Sequence, residues 1–254
     1  MNILITGATG KIGYAICEKL SLKKNINLFL IIRDKKKIKI KNKKIKYYCI
    51  DLSNKNEIDN FIKNFNIKLD ILINTAAIVN DNFILSKDNI ELQFSVNVLS
   101  YFRLMNGLLP LLKKSDNPKI INISSLMTLE FNDPNILQPK KIDYDNSKQY
   151  ARCKCAIIML SKKASELWEK YNISVYSCHP GVTLSNVLKG LHLDKKNWKL
   201  QTPEKCASTI IYLINNNEQT GTFWARSKII KENFNMNKLN NDKLWNYCLK
   251  LNKV

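Results

Sequence analysis

The stretch NILITGATGKIG at residues 2–13 decides the fold. Its first five residues form an apolar, strand-like run, and the residues after Gly10 carry the apolar spacing of a helix. Glycines between a strand and a helix allow a tight turn, a close approach of backbone to pyrophosphate, and packing of the helix on the strand. The helix N-terminus then offers free N–H groups and a positive dipole end to phosphate. The stretch therefore predicts a dinucleotide-binding turn. Its candidate contacts are Thr6, Gly7, Thr9, Gly10, Lys11, Ile12 and Gly13.

The rest of the chain continues this alternation of strand and helix. Further candidate strands lie at 27–32, 45–50, 70–74, 119–124, 173–178 and 221–225. Candidate helices lie at 11–23, after Ser53, at 88–113 with Ser86 as a candidate cap, at 150–170, after Thr202 and at 241–252. Most of the strands are rich in Ile, Val and Leu, which is typical of parallel strands covered on both faces. This pattern predicts an α/β fold. We expect a single Rossmann-type doubly wound domain over residues 1–254, with about seven parallel strands and helices on both faces.

The net charge of +20, from 41 Lys and Arg against 21 Asp and Glu, has two explanations. A nucleic acid or an anionic membrane surface would attract such a protein. However, the excess is mostly Lys, Asn and Ile are also frequent, and Gly and Pro are scarce, a balance that codon bias in an AT-rich genome also produces. Codon bias is the simpler explanation, so we expect no nucleic-acid partner.

Other compositional features bound the class of protein. No apolar run is long enough to span a bilayer, and a core strand that begins at Asn2 leaves no expected leader peptide. The seven cysteines are odd in number and irregularly spaced, which argues against a disulfide framework or a metal site. We therefore expect a cytoplasmic protein without a metal, whose cysteines are small core residues.

The end of the second strand bears on the choice of cofactor. An acidic residue at this position binds the ribose 2′-OH of NAD, whereas a basic residue accommodates the 2′-phosphate of NADP. Arg33 stands at the tip, ahead of Asp34, and Lys35–Lys37 follow. NADP(H) is therefore the predicted cofactor, with NAD(H) less favoured, and Lys11 adds charge near the same phosphate. Lys35–Lys37 remain open between phosphate contacts and a solvated surface.

A series of short motifs resembles a known family. After TGATGKIG come CIDLS at 49–53, NTAA at 74–77, FSVN at 94–97, INISS at 121–125, YARCK at 150–154 and HPG at 179–181. Their order and spacing resemble the short-chain dehydrogenase/reductase family over nearly the whole chain, most of all its retinol-dehydrogenase-like branch. The resemblance implies an NADP(H)-dependent oxidoreductase that interconverts an alcohol with a ketone or aldehyde by hydride transfer. Two positions depart from the common pattern, because the loop glycine stands at Gly10 rather than at position 11, and Ala77 replaces a glycine.

The resemblance implies four catalytic residues. Tyr150 would be the acid/base, and Lys154 would lower the pKa of that phenol and bind the nicotinamide ribose. Ser125 would bind the substrate oxygen, and Asn97 would anchor a water for proton relay. The spacing supports the first pair, because residues i and i+4 share a helix face and a neighbouring cation stabilises phenolate.

Two of these assignments have a competitor in the sequence. Tyr144 and Lys148 repeat the Y-x-x-x-K spacing, but Tyr144 lies about 240° away from Tyr150 around a helix, so both cannot face the cofactor. The intervals to the flanking motifs and the apolar helix that continues from Lys154 favour Tyr150. Ser124 and Ser125 point to opposite sides at a strand end, and family spacing favours Ser125.

The remaining site positions transfer from the resemblance alone. Asp51 and Leu52 would hold the adenine, although Asp51 is equally placed to cap the next helix. Asn74 and Ala76 would line the ribose side. Pro180, Gly181 and Thr183 would meet the carboxamide, Ser185 would lie near the phosphates, and His179 is expected to be a turn residue. Residues 182–200 form the predicted substrate lid, with an apolar pocket expected from Leu184, Val187, Leu188, Leu191, Trp198, Met127 and Leu129.

Two other functions remain open at this point. The glycine spacing is also that of extended-type enzymes, such as epimerases and dehydratases, that act on nucleotide sugars, although those usually need an additional substrate domain. A non-catalytic NADP-binding regulatory protein is the other alternative, against which the Ser125, Tyr150 and Lys154 set argues. In the family, the helices at 88–113 and 150–170 often pair across a two-fold axis, so a homodimer is expected.

Overall fold

The central sheet determines where the functional groups meet. The computed structural model describes residues 1–37, 40, 42–192, 199–231 and 238–253, and within them eight strands form one sheet. In chain order these are β1 (Asn2–Thr6), β2 (Asn27–Ile32), β3 (Ile45–Cys49), β4 (Ile71–Asn74), β5 (Lys119–Ile123), β6 (Ser174–His179), β7 (Phe223–Ala225) and β8 (Lys228–Ile229). Their order in the sheet is β3-β2-β1-β4-β5-β6-β7-β8. The strands from β1 to β7 pair in parallel and β8 is antiparallel to β7, which confirms the doubly wound α/β fold and adds one edge strand.

Helices cover both faces of this sheet. They are α1 (Lys11–Ser21), α2 (Lys55–Asn64), α3 (Leu92–Phe94), α4 (Ser100–Gly107), α5 (Leu109–Leu112), α6 (Asn146–Trp168), α7 (Asn186–Gly190), α8 (Pro203–Asn215) and α9 (Lys238–Lys253). Along β1, Leu4 packs into one hydrophobic core with α2, α4, α6 and α9, while Ile3 and Ile5 pack into a second core with α1 and α8. This follows from the alternation of side chains along a strand. None of the described helices combines the length and the apolarity needed to cross a membrane.

The long helix expected at 88–113 is interrupted in the structure. It begins later, because Glu91 caps its first turn through its carboxylate, while Ser86, the expected cap, closes a tight turn just before. It breaks after Gly107, because Pro110 offers no N–H to the carbonyl four residues earlier and its ring crowds that turn. The helix expected at 150–170 instead starts at Asn146.

Three smaller features complete the fold: the crossover between β2 and β3, two short elements, and the positions of the cysteines. The short crossover between β2 and β3 contains a 3-10 turn, Lys35–Lys37. The sequence pattern did not predict α7 or β8, which are too short for a clear period. Six cysteines are buried as expected of core residues, but Cys49 is exposed at the end of β3.

Helix α9 covers α4 and α6. Trp245 makes edge-to-face ring contacts with Phe102 at 4.9 Å and with Trp168 at 5.8 Å between ring centroids. Arg103 Nε donates a hydrogen bond to Asn252 Oδ1 at 3.2 Å. These are the helices expected to pair in a homodimer, so α9 occupies part of that surface within the same chain.

Candidate active site

The site lies where the strand order reverses. From β1 the chain moves outward to β2 and β3, then crosses to β4 on the other side of β1. In such sheets ligands bind beyond the carboxyl ends of the strands at this point. A cavity of about 1170 Å³ lies here, somewhat above the roughly 300–1000 Å³ of most small-ligand pockets. The loop after each strand from β1 to β7 contributes at least one residue to the cavity wall, in order Gly7, Arg33, Asp51, Thr75, Ser125, Pro180 and Arg226.

The glycine turn forms one end of this cavity. Gly7 has a φ of +68°, and a Cβ there would lie 2.8 Å from the backbone of Ala76. A Cβ on Gly13 would lie 2.3 Å from the Gly7 carbonyl oxygen, so only glycine lets α1 pack this closely on the turn. Gly10 is the N-cap of α1 and gives no side-chain cap, and the first turn of α1 holds no acidic residue. The N–H groups of that first turn therefore remain available to an anion in the cavity.

Basic side chains line the end of the cavity at β2. Arg33 and Lys37 are exposed and line its wall, as does Lys11. The carboxylate of Asp34 instead accepts a hydrogen bond from the backbone N–H of Lys36 at 2.9 Å and so caps the short turn that follows. This end of the cavity is positively charged and suits a phosphate.

Asp51 lines the cavity but does not cap the helix that follows it. It lines the cavity beside Leu52, and its Oδ1 accepts hydrogen bonds from the backbone N–H and the hydroxyl of Ser53 at 2.9 and 2.7 Å. The N-cap of α2 itself is Asn54. The Asp51 carboxylate thus fixes the turn before the helix while it faces the cavity.

Ser125, Tyr150 and Lys154 meet at the centre of the cavity wall. All three are buried. The Ser125 hydroxyl hydrogen bonds to the Tyr150 phenol. The Lys154 ammonium donates a hydrogen bond to the Ile123 carbonyl at 2.9 Å and lies 5.4 Å from the centre of the Tyr150 ring. A proton donor, a hydroxyl and a cation thus share one buried part of the cavity wall.

The pKa values of this pair are governed by burial. Burial lowers the pKa of Lys154 from 10.5 to about 8. Burial also raises the pKa of Tyr150 above its ordinary value, and the hydrogen bond with Ser125 opposes this increase. The proximity of a cation predicts a lowered pKa for Tyr150, but desolvation of the phenol outweighs any such effect of Lys154. Tyr150 is therefore protonated at neutral pH.

The competing tyrosine and serine have other contacts. The Tyr144 hydroxyl accepts a hydrogen bond from Gln93 Nε2 at 2.8 Å and donates one to the Asn80 carbonyl at 3.2 Å, away from the cavity wall. Ser124 lines the cavity beside Ser125, but its hydroxyl donates to the Lys154 carbonyl at 2.6 Å. The structure thus brings Tyr150 and Ser125 together and leaves Tyr144 outside.

Three predicted site residues do not line the cavity: Thr6, Asn74 and Asn97. The Thr6 hydroxyl accepts hydrogen bonds from the backbone N–H groups of Thr75 and Ala76 at 3.0 and 3.2 Å. Asn74 points into the core, where its Nδ2 donates to Asn122 Oδ1 at 2.9 Å. Both side chains are therefore buried on strands below the cavity and make structural contacts there.

The Asn97 side chain also makes a structural contact, with the backbone of Ile78. Asn97 sits in a π-helical turn, Ser95–Leu99, between α3 and α4. Its side-chain amide accepts from the N–H of Ile78 at 2.8 Å and donates to the carbonyl of Ile78 at 2.9 Å. Its side chain is thus committed to shaping the loop after β4, of which Ile78 lines the cavity, and does not itself line the cavity.

The loop after β6 closes the other side of the site. Pro180, Gly181, Thr183 and Ser185 all line the cavity. Gly181 has a φ of +105°, and a Cβ there would meet Gln201 Oε1 at 2.4 Å. His179 accepts a hydrogen bond from the Leu126 N–H through Nδ1 at 3.3 Å. Its pKa is lowered to about 4, by burial first and then by the charges of Arg226 and Lys154, so the ring is neutral.

The expected apolar pocket is present in part. Leu184, Val187, Leu188 and Leu191 line the cavity together with Met127, whereas Leu129 does not. Trp198 and the rest of 193–198 lie outside the described residues. The sequence motifs did not identify some other lining residues as contacts: Lys37 (singled out only as part of a lysine run), Ile78, Gln201 and Arg226.

Comparison with known proteins agrees with this architecture. The family model described as short chain dehydrogenase matches residues 1–196. Mouse retinol dehydrogenase 13 is 31% identical over 75% of this chain, and human retinol dehydrogenase 14 is 33% identical over 61%. The chain spans 61% and 48% of the lengths of these two relatives.

Solved structures show the same fold. An NADPH-bound carbonyl reductase from chicken fatty liver is 21% identical, with a TM-score of 0.68 over 90% of this chain and 98% of that one. A 4-hydroxyisoleucine dehydrogenase complexed with NADH is 28% identical, with a TM-score of 0.66 over 88% of this chain and 95% of that one. The chain belongs to the short-chain dehydrogenase/reductase family of oxidoreductases, and within it to the retinol-dehydrogenase-like branch.

Proposed function

We propose that this protein is an NADP(H)-dependent oxidoreductase that interconverts a carbonyl compound and an alcohol. The observation that carries the proposal is the convergence of Ser125, Tyr150 and Lys154 on a cavity that begins at a glycine turn and a helix N-terminus. The turn fits a pyrophosphate, since Gly7 and Gly13 let α1 pack closely on the turn and no side chain caps the N–H groups of the helix's first turn. A dinucleotide bound in the cavity would supply the hydride from its nicotinamide for reduction, or accept it in oxidation.

The chain's own residues would manage the proton. Tyr150 is protonated at neutral pH, so in the reductive direction its phenol donates a proton to the carbonyl oxygen. Ser125 hydrogen bonds to the phenol and would bind the same oxygen. Lys154, with a pKa near 8, is mostly charged at neutral pH and would stabilise the phenolate left behind. Asn97 is a positioning residue in this scheme, since it holds the Ile78 backbone.

The preference for NADP(H) rests on the β2 end of the cavity. Arg33 and Lys37 line the wall there, and Asp34 is committed to its own turn. The NADPH-bound carbonyl reductase supports this preference by analogy, whereas the NADH complex of the 4-hydroxyisoleucine dehydrogenase reflects the range within the fold. Replacement Arg33→Gln should raise the KM for NADPH by about tenfold through loss of one charge-assisted contact and leave the KM for NADH nearly unchanged. Similar increases for both cofactors would remove the role of Arg33 at the 2′-phosphate.

The substrate side is apolar. Met127, Leu184, Val187 and Leu188 line it, so an aldehyde or ketone with an apolar body fits best. Helix α7 is part of the proposed lid at 182–200. Because α9 already covers part of α4 and α6, we expect any homodimer to use a different surface from that pair of helices.

The direct test is a screen of aldehydes and ketones that follows oxidation of NADPH and of NADH. We expect turnover with NADPH, and a loss of about 10²- to 10⁴-fold in kcat for Tyr150→Phe. The matched control is Tyr144→Phe, which removes an equivalent hydroxyl outside the cavity and should retain most of the activity. An active Tyr150→Phe enzyme would overturn the assignment of the acid. Tight NADPH binding without turnover of any carbonyl would favour the regulatory alternative.

A further inference from the structure

Arg226 occupies an unusual backbone conformation at the cavity wall. It forms a two-residue hairpin turn with Ser227 between β7 and β8, and the two residues have φ values of +52° and +56°. Two-residue turns with positive φ at both positions strongly favour Asn-Gly or similar pairs. An Arg-Ser pair in this conformation costs about 1–3 kcal/mol per residue. Strained backbone conformations of this kind cluster at active sites and ligand-binding sites.

The turn is also fixed in place from below. The backbone N–H of Ser227 donates to the hydroxyl of Thr209 at 3.1 Å, and Thr209 is buried on α8. Arg226 is exposed and lines the cavity, so its side chain is free while its backbone is held. The hairpin therefore presents a guanidinium to the site from a rigid base.

The sheet register places Arg226 at the substrate end. Ile123, Cys178 and Trp224 lie in one row across β5, β6 and β7. Ser125 and Arg226 each follow that row by two residues, and two strand spacings separate them by about 10 Å. The glycine turn after β1 lies on the opposite side of Ser125. A group bound by Arg226 is therefore remote from the proposed pyrophosphate site.

The charge of Arg226 is not neutralised nearby. Among the residues that the structure describes, no carboxylate forms an ion pair with Arg226. Glu204 is the acidic residue lining this part of the wall, and its carboxylate is engaged by Thr202 and its own backbone at the start of α8. His179, which lies between Ser125 and Arg226, is neutral. Lys189 and Lys199 add two further cations to the wall.

We propose that Arg226 binds a carboxylate or phosphate carried by the substrate, at the far end from its reacting carbonyl. The substrate class is then an amphiphilic aldehyde or ketone, with an apolar body against Leu184, Val187 and Leu188 and an anionic end about 10 Å from the carbonyl carbon. This inference rests on the proposed function and adds a substrate class to it.

The test compares aldehydes that differ only at the remote end. The probes are nonanal, 9-oxononanoate, its methyl ester and 9-oxononyl phosphate, whose extended chains match the separation above. The variant is Arg226→Asn, because Asn tolerates positive φ and should keep the turn. The matched control is Lys228→Gln, which removes a neighbouring charge of the same hairpin that does not line the cavity.

In the wild-type protein we expect a higher kcat/KM for the anionic probes than for nonanal or the ester. Arg226→Asn should lower kcat/KM for the preferred anion by about tenfold, mainly through KM, and leave nonanal, the ester and the Kd for NADPH unchanged. Lys228→Gln should leave all of these values unchanged. The anionic probe whose kcat/KM falls more in Arg226→Asn shows whether the substrate group that Arg226 binds is a carboxylate or a phosphate.

Three results would overturn the inference. An equal loss for charged and neutral probes would make Arg226 a structural residue, a weaker NADPH affinity would make it a cofactor residue, and no loss would leave it without a role in binding. If the wild-type protein reduces none of the probes, the proposed function fails separately. Calorimetry of nonanedioate and of nonyl phosphate binding to the NADPH complex then tests the inference. We expect weaker binding to Arg226→Asn than to wild type, and equal binding to the two proteins would contradict the role of Arg226.

Discussion

Lys154→Met should make the protein more stable while it removes the activity. Lys154 is buried, and its ammonium makes one hydrogen bond, to the Ile123 carbonyl at 2.9 Å. A pKa held at about 8 instead of 10.5 corresponds to a penalty of about 3 kcal/mol in the folded state at neutral pH. Methionine removes that penalty and fits a similar volume, but it loses a hydrogen bond worth about 1 kcal/mol. We expect a net gain of about 2 kcal/mol in the free energy of unfolding at pH 7.

The pH dependence of this gain follows from the same shift. Between about pH 8 and 10.5 the unfolded chain holds a proton that the folded chain has lost. Wild-type stability attributable to Lys154 therefore rises with pH across this range, and the penalty is fully present below it. The advantage of Lys154→Met should accordingly be largest at pH 7 and shrink towards pH 10.

The assay is urea unfolding of both proteins without added nucleotide, at pH 7 and at pH 9.5. Lys119→Met is the matched control, because Lys119 is also buried but donates to three backbone carbonyls at the end of α8, those of Leu213, Ile214 and Asn216. Its loss should destabilise the protein. A Lys154→Met variant no more stable than wild type at pH 7, or one whose advantage does not change with pH, would refute the reasoning.

Two further predictions concern the glycine turn and α9. Gly13→Ala places a Cβ 2.3 Å from the Gly7 carbonyl oxygen. It should weaken NADPH binding at least about tenfold in a fluorescence titration. Gly10→Ala, whose Cβ would lie 3.3 Å from the same oxygen at an ordinary φ, should bind nearly as wild type, and equal losses would contradict the packing argument. Trp245→Ala removes the ring contacts with Phe102 and Trp168 and should lower the free energy of unfolding by about 3–5 kcal/mol. A change below about 1 kcal/mol in chemical denaturation would show that α9 does not pack on α4 and α6 as described.

Periodicity and motif spacing carry most of the fold because parallel strands and amphipathic helices each impose a repeat on the sequence. The strands from β1 to β7 therefore appear close to their expected places. The periodic pattern does not predict elements that are too short to show a repeat, or turns that depend on local backbone conformation. Lys228–Ile229 pairs because the preceding turn folds back, and Arg226-Ser227 carries no Asn-Gly signal for that turn. The helix expected at 88–113 breaks after Gly107, because the missing N–H of Pro110 outweighs a continuous apolar pattern.

For the site, the sequence identifies residue types better than side-chain directions. Motif spacing favours Tyr150 over Tyr144, and of the two only Tyr150 lines the cavity. Thr6, Asn74 and Asn97 do not line the cavity because each side chain is buried. Those of Thr6 and Asn97 hydrogen bond to backbone groups of the loop after β4, and that of Asn74 hydrogen bonds to Asn122. A linear motif marks such positions without distinguishing a ligand contact from a structural one.

The central claim is that this chain moves a hydride between a nicotinamide and a carbonyl carbon. The most direct measurement is the mass of the alcohol formed with NADPH that carries deuterium at C4 of the nicotinamide, prepared in each of its two stereochemical forms. We predict that one form transfers its deuterium to the carbon of the former carbonyl, that the other does not, and that Tyr150→Phe suppresses this product. An alcohol that contains no deuterium from either form, or no alcohol although NADPH binds, would contradict the claim.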